Sequence, residues 1–420
     1  MTSSSDSIKN LLRIKDHNLI FSGTKEVDSK MNCYAVLKLD HCLHCQSKNI
    51  IHNGYAPIHV KHISSDASMP VILQIDKQRI KCRDCLKSST ATTPLIDKHC
   101  QISNSLKRKV LAALTEDRSM TSIARENNIS ASTVCRLLAI FDMPFHQDYD
   151  DLPEHLAFDE VRGVGRQLHF ICIDGDSHQI MKMLSNRYKK NILAYFYKFS
   201  PLARAHVKTV SMDLNGYYQD IVREIFPNAE IVIDRFHIVQ MLNRSLNQLR
   251  VQVMKTFDVR SRNYKIFKSN WKLFLMRLSD LEFSKLSRFK SPKGYYTQGQ
   301  LVDEGLRTNL VLSNTYDLVQ NILEAMDNKD IVQLEAVINS TLEVGNQMRT
   351  TLKTFQKNMK SVLNSIRFTY YNGLLEGINR KIKQIQRTAY GFRNFRNLRI
   401  RIKLQQTGTV IKEKRPDLVA

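Results

Sequence analysis

The chain is short of acids for its bases. Its 420 residues carry 40 Asp and Glu against 63 Lys and Arg, a formal net charge of +23. The excess is spread along the chain rather than gathered in a tail, and it points to a polyanionic partner. Long apolar runs are also missing. None reaches the roughly 18 residues of a membrane-spanning helix, so nucleic acid is favoured over a membrane. The opening MTSSSDSIKN is polar and shows no secretory pattern. No GxxxxGK(S/T) loop is present to cradle phosphates, which argues against an NTPase, and neither GxSxG nor HExxH occurs. There is no internal repeat, and no low-complexity block beyond the serine-rich start. Tryptophan occurs once, as Trp271 in NWKLFLMRL. Its apolar neighbours predict a packing role; stacking on an unpaired base is the alternative.

What is present divides into segments, and the length allows two to four domains with real cores. Residues 1–32 read as a polar lead-in. Over 33–100, Ile58, Val60 and Ile63, then Val71, Leu73 and Ile75, alternate with polar residues as short strands do. Helical spacing takes over within 101–145. The acidic HQDYDDLPEH, with Pro153, then marks a boundary. Over 150–240 the pattern predicts strands near 155–161, 167–174 and 178–184, a helix near 187–199, a strand near 206–212, a helix near 215–225 and a strand near 230–233. Three antiparallel-looking strands followed by helix–strand–helix–strand imply a mixed α/β sheet. Residues 241–369 read as almost wholly helical, with one loop at SPKGYY.

Two identical cysteine spacings stand in the first half, Cys42-Leu-His-Cys45 and Cys82-Arg-Asp-Cys85. A CxxC turn brings both thiolates to one side, and two such turns supply the tetrahedral sulfur set of a structural zinc. The spacer is long for a zinc ribbon, and a β-hairpin excursion would absorb it. His44, His99 and Cys100 are substitute ligands, and ordinary buried thiols or a redox pair are the plainer readings. Cys33, Cys135 and Cys172 read as packing residues. This usage suits a reducing, cytosolic compartment.

Downstream, Ser105 to Leu114 and Thr121 to Asn127 read as helices. Asn128-Ile129-Ser130 forms a turn, and Ser130 caps a third helix, ASTVCRLLAIF. Ile123, Ala124, Ile129, Val134 and Leu138 would make the shared core of a helix-turn-helix. Ala131, Ser132, Thr133 and Arg136 then fall at the exposed start of a recognition helix, with Ser132, Thr133 and Arg136 the candidate DNA contacts.

The chemistry-bearing candidates are carboxylates. In LAFDEV, alternation sets Ala157, Asp159 and Val161 on one face and Phe158 with Glu160 on the other. An aspartate inside an apolar strand is costly unless paired or metal-bound. Asp213 ends HVKTVSMDL before a turn, at the carboxyl edge where α/β sites form. Glu376 opens a helix whose apolar stripe is Leu374, Ile378, Ile382 and Ile385. Asn379, Arg380, Lys383 and Arg387 trail along another side, suited to following a phosphate backbone. Glu304, Glu324, Glu335 and Glu343 compete for the third carboxylate but lack that basic setting. Two strand-end aspartates and a helical glutamate can hold two metal ions against phosphate. Asp234 and His237 in IVIDRFHIVQ rank second, because capping of the next helix by itself explains the aspartate.

With these residues assembled, the chain resembles bacterial insertion-sequence transposases of the ISL-three family over nearly its whole length. The likeness lies in CLHC…CRDC, the helix-turn-helix, AFDE, DLNGYY…FPNAEIVIDRFHIVQ, and EGINRKIKQIQRTAYGFRNFRNLRIRI. It implies a multidomain α/β chain with a zinc-ribbon-like knuckle, a helix-turn-helix and a ribonuclease-H-like core. That core would be interrupted by the helical insertion at 241–369 and completed at 370–406, with 407–420 a tail. The resemblance makes Asp159, Asp213 and Glu376 a catalytic triad for two Mg²⁺ ions, with Mn²⁺ as substitute, and matches Asp234-Arg-Phe-His237 to an accessory (C/D)xxH motif. The implied partners are terminal inverted repeats and target DNA, with a homo-oligomer in the DNA complex. A DNA-binding regulator on an inactive nuclease core, and a junction-cleaving nuclease without strand transfer, are the alternatives.

Overall fold

A computed structural model describes residues 4–64, 68–140, 148–368 and 373–414, the side chains of 373–376 and 407–414 excepted. The chain forms two units, one comprising 1–144, 163–166 and 381–420, the other 145–162 and 167–380.

In the first unit, α1 (Ser4–Leu11) precedes β1 (Leu19–Val27), β2 (Lys30–Leu37), β3 (Ile50–His62), β4 (Val71–Cys82) and β5 (Ser88–Thr90). The sheet order is β1-β2-β4-β3, with β5 also on β4. β2 and β4 run parallel and the other pairs antiparallel. Leu19, Phe21, Cys33, Ala35, Leu37, Val60, Leu73 and Ile75 form the core, each two residues from the next on its own strand. The described part of the polar lead-in expected over 1–32, from Ser4 on, is therefore folded. Its Leu19-x-Phe21 alternation is short and followed by TKEVDSK, so only pairing with β2 shows it to be a strand.

The helix-turn-helix follows as α2 (Asn104–Leu114), α3 (Met120–Glu126) and α4 (Ala131–Ile140). Ser103 and Ser119 cap α2 and α3 by accepting from the Leu106 and Ser122 backbone N–H groups. Asn128 takes the left-handed turn conformation, φ 52°. Ile123, Ala124, Ile129, Val134 and Leu138 are buried together with Leu106 and Val110, as expected. Buried His62 ties the sheet to this module, its ring meeting the Ser103 hydroxyl at 2.8 Å and donating to the Leu12 carbonyl at 3.0 Å.

The second unit begins with β6 (His155–Arg162), β7 (Leu168–Asp174) and β8 (Ile180–Met183). Then come α5 (Lys189–Phe196), α6 (Pro201–His206), β9 (Thr209–Met212), α7 (Gly216–Ile225) and β10 (Glu230–Ile233). This is the mixed sheet that periodicity predicts. Its order is β10-β9-β6-β7-β8, with β6, β9 and β10 parallel and β7 and β8 antiparallel to their neighbours. Phe158 of β6 stacks on Phe196 of α5 at 5.5 Å and meets Phe170 of β7 edge-on at 4.9 Å. That aromatic layer fixes which face of β6 is buried, and so turns Asp159 to the other.

The next stretch holds α8 (Arg235–Met254), α9 (Arg262–Ser269), β11 (Ser287–Lys290), β12 (Lys293–Tyr296), α10 (Gln298–Leu306), α11 (Leu310–Asp327), α12 (Ile331–Ile338), α13 (Asn346–Lys357) and α14 (Met359–Arg367). The loop expected at SPKGYY is the turn and second strand of the β11–β12 hairpin. Trp271 does not take its expected packing role. It is 41% exposed, with the Lys272 ammonium 5.8 Å from its ring centroid, while Phe274 fills the core. Buried Asn364 of α14 donates to the Ile231 carbonyl at 3.0 Å and to Glu230 at 3.1 Å, seating α14 on β10.

Last come α15 (Gly373–Thr388) and α16 (Phe395–Lys414). Although 370–406 reads from sequence as the end of the core, α16 packs on α2 and α4. Ile400 joins the core of the three helices. Arg401, 3% exposed, donates to the Glu116 and Arg118 carbonyls, both at 2.7 Å. Among the described residues no helix is long and apolar enough to cross a membrane.

Candidate functional site

Two side-chain constellations and the exposed residues of α4 and α15 are the candidates. The cysteine pairs meet at one end of the β3–β4 hairpin, where Ile50 pairs with Cys82. The long spacer is thus the hairpin itself, as expected. Gln46 and Leu86, each directly after the second cysteine of its pair, adopt left-handed φ values of 61° and 59°, so both turns close alike. Cys42 Sγ lies 3.6 Å from Cys85 Sγ, and Cys45 Sγ 3.5 Å from Cys82 Sγ. Zinc bonds of about 2.3 Å in a tetrahedron place sulfurs roughly 3.8 Å apart, close to what is seen. The Cys45 backbone N–H, followed by that of His44, pulls the Cys42 thiol down to about 6. The Cys85 N–H likewise lowers Cys82. Against the pull of the Ser47 N–H, Cys45 is instead pushed up to about 12 by its thiol neighbours. The support for a structural zinc therefore lies in the tetrahedral sulfur set and in the N–H groups aimed at Cys42 and Cys82. Asp84 braces the two turns, accepting from Ser47 at 2.5 Å and Asn49 at 2.8 Å.

At the start of α4, Ala131, Ser132 and Arg136 are exposed. Thr133, expected beside them, is buried at 9% exposure. Its hydroxyl meets that of Ser130 at 2.9 Å and accepts from Arg136 Nη2 at 3.1 Å. It completes the cap and steers the arginine, because i to i+3 spacing puts the two on one side of the helix.

The acidic constellation follows from strand register. Met212 of β9 pairs with Ile233 of β10, so the next residues, Asp213 and Asp234, leave the sheet side by side. Ala157 of β6 pairs with Ser211 of β9, and the same register carried two residues on brings Asp159 level with Asp213. Asp234 caps α8 by accepting from the Phe236 N–H at 3.0 Å. That cap delivers His237, whose Nε2 contacts Asp213 Oδ1 and stands 3.9 Å from Asp234 Oδ2. One ligand atom from each of Asp213, Asp234 and His237 lies within 4.8 Å of the others. Asp234 thus combines the capping role expected of it with a place in the cluster, where sequence ranked it second.

Asp159 is turned into the same region. Its Oδ1 accepts from the Glu160 backbone N–H at 2.6 Å and its Oδ2 from Asn379 Nδ2 at 2.5 Å. Burial, reinforced by the nearby Asp213 charge, pushes its carboxyl up to about 6, against the pull of those donors and His237. Burial lowers the His237 imidazole, but the Asp213 hydrogen bond and the surrounding aspartates outweigh it, and the net shift is upward. Glu160 faces the other way, holding Arg187 at 2.8 and 3.0 Å and the Tyr218 hydroxyl at 2.8 Å.

The Glu376 side chain lies outside the described residues; the α15 backbone carries it. Of the residues expected to follow DNA along α15, Arg380, Lys383 and Arg387 are exposed, and Ile382 and Ile385 are buried. Asn379 instead turns to Asp159, a role that no local pattern announces. Among the competing glutamates, Glu304 is paired with Arg262 at 2.5 and 2.8 Å, and Glu324, Glu335 and Glu343 are exposed.

Comparison with known proteins matches three successive segments. A profile described as the zinc-finger of transposase IS204/IS1001/IS1096/IS1165 covers residues 38–85. A profile for the helix-turn-helix domain of transposase family ISL3 covers 91–139, and the transposase profile of that group covers 156–402. The transposase for insertion sequence element IS1001 from Bordetella parapertussis is 24% identical over 336 residues, 77% of this chain and 78% of that protein. A protein of Lactococcus lactis subsp. lactis named ATP-dependent protease is 27% identical over 218 residues, 51% of this chain. The chain spans 66% of that relative, just under two thirds.

Proposed function

The chain belongs to the ISL3 family of transposases, and on that premise we propose that it cleaves DNA at the ends of an insertion sequence and joins them to a target. The observation that carries the reading is the row Asp159, Asp213 and Asp234 across three parallel strands, with His237 on Asp213. The strand order, three parallel strands flanked by an antiparallel pair, supports a ribonuclease-H-like core with the α8–α14 stretch as its helical insertion.

Hard carboxylate oxygens crowded at one sheet edge suit Mg²⁺ or Mn²⁺, and the Asp159 carboxyl is raised by burial, with the Asp213 charge adding to it. Asp159 and Asp213 would hold two such ions together with Glu376, which stands one helical turn before Asn379 on α15. Bound there, the metal pair supplies Lewis acidity and an activated nucleophile. The chain's own residues then do the positioning. His237 orients Asp213, Asn379 and the Glu160 N–H orient Asp159, and Arg380, Lys383 and Arg387 hold phosphates. In the first step water attacks the phosphorus at an element end, the P–O3′ bond breaks, and a 3′-hydroxyl leaves. In the second, that hydroxyl attacks a target phosphorus and displaces another 3′-oxygen. Ser132 and Arg136 read the terminal repeats. Joining two ends requires at least two bound copies, so a homo-oligomer assembles on the DNA.

The test uses DNA from the flanks of the encoding locus. Asp159→Asn, Asp213→Asn and Glu376→Gln should each abolish cleavage and strand transfer while leaving end binding intact, since residues that act as a unit are strongly non-additive. Substantial cleavage by Asp213→Asn would refute the reading; cleavage by Glu376→Gln alone would move the third carboxylate elsewhere.

A further inference from the structure

Asn379 of α15 meets the acidic row at Asp159, and its chemistry is unlike that of its neighbours. Arg380, Lys381 and Lys383 are cationic and exposed, yet the residue that meets Asp159 is a neutral amide. A cation there would form an ion pair and neutralise a carboxylate that needs its charge for metal. An amide N–H fixes the carboxylate plane and leaves the charge in place. The Glu160 backbone N–H does the same at the other oxygen. Asp159 is thus oriented at both oxygens by neutral donors.

The other half of the amide is equally informative. Among the described residues, Asn379 Oδ1 is buried and has no hydrogen-bond partner. Rotating the amide would set this oxygen against the Asp159 carboxylate, so the orientation is dictated by charge. A buried acceptor without a donor is unfavourable, and such atoms in a site call for a donor that arrives with the ligand. A water bound to a divalent cation is a strong donor of this kind, and outer partners of this type tune both geometry and affinity of metal sites.

We propose that Asn379 is a positioning residue of the metal site, holding Asp159 through its N–H and accepting from a metal-bound water through its carbonyl oxygen. This rests on the reading of the acidic row as a metal centre. Full-length protein is titrated with Mn²⁺ alone and followed by electron paramagnetic resonance, and end cleavage is then measured across Mn²⁺ concentrations. Asn379→Leu, similar in shape but without the amide, should weaken Mn²⁺ binding roughly tenfold or more. It should raise the Mn²⁺ needed for half-maximal cleavage by a similar factor, with end binding unchanged. Asn379→His, which restores a ring N–H near the amide position, should recover part of the loss. Should the leucine variant fail to fold, Asn379→Ala carries the same expectation. Wild-type Mn²⁺ binding and metal dependence in whichever of these two folds overturns the role of Asn379. If Asp159→Asn also binds Mn²⁺ and cleaves as wild type does, the metal-centre reading itself fails.

Discussion

At the scale of single residues, hydroxyl and carboxylate contacts decide where the side chains at the starts of α4 and α8 point. Thr133 has the right place on α4 to touch a base but faces inward, where its hydroxyl meets that of the capping Ser130 and accepts from Arg136. The exposed start of α4 is therefore Ala131, Ser132 and Arg136, without Thr133. Arg136→Ala should weaken specific binding to the element ends by about 1–3 kcal/mol and spare binding to random DNA. Competition gel-shift titrations measure both; equal losses would make Arg136 a phosphate contact. His237, expected as an accessory of the acidic residues, stands with its Nε2 on Asp213 Oδ1.

At the scale of elements, two devices hold the first unit together. One is the cysteine knuckle at the end of the β3–β4 hairpin, where metal binding contributes folding energy to a small sheet. Purified protein should contain about one zinc per chain, and Cys82→Ser combined with Cys85→Ser should lose it together with the thermal stability of the sheet. Retention of zinc by that double variant, measured by metal analysis, would count against the site. The other device is α16. Arg401 satisfies two carbonyls between α2 and α3, and Gln405 adds a third bond, to the Glu116 carbonyl at 2.9 Å. Arg401→Met keeps the apolar stem but strands those acceptors, which should cost about 1–3 kcal/mol. Denaturant melts and faster amide exchange at Glu116–Ser119 report it, and an unchanged melt would show that water replaces the guanidinium at no cost.

At the scale of the whole molecule, the decisive property is the charge of +23. Basic residues occur in both units, including the exposed Arg136 of α4 and the exposed Arg380, Lys383 and Arg387 of α15. On the proposed reading, the α15 cations would meet phosphates, contacts that carry no sequence information. Lys383→Ala should accordingly weaken binding to specific and random DNA alike, and lower the slope of log affinity against log salt by about one. An unaltered slope would return Lys383 to an ordinary solvated lysine.

The sequence by itself determined what depends on neighbours along the chain. Period-two alternation marked β3, β4 and β6, Ser130 marked a helix cap, paired CxxC spacing marked the knuckle, and aspartates after short apolar runs marked the strand ends. These signals are local, and local geometry realises them whatever else the chain does. Tertiary structure decided what depends on pairing between distant segments. Only the parallel register of β9 with β10 sets Asp234 beside Asp213, and only helix packing turns Asn379 toward Asp159 across more than half the chain. The same holds for β1, whose brief alternation becomes a strand once β2 covers it. It holds again for α16, a basic helix after the core motif that buries its arginine in the helix-turn-helix. Such contacts follow from buried area and hydrogen-bond satisfaction summed over the folded chain, and no window of neighbouring residues contains that sum.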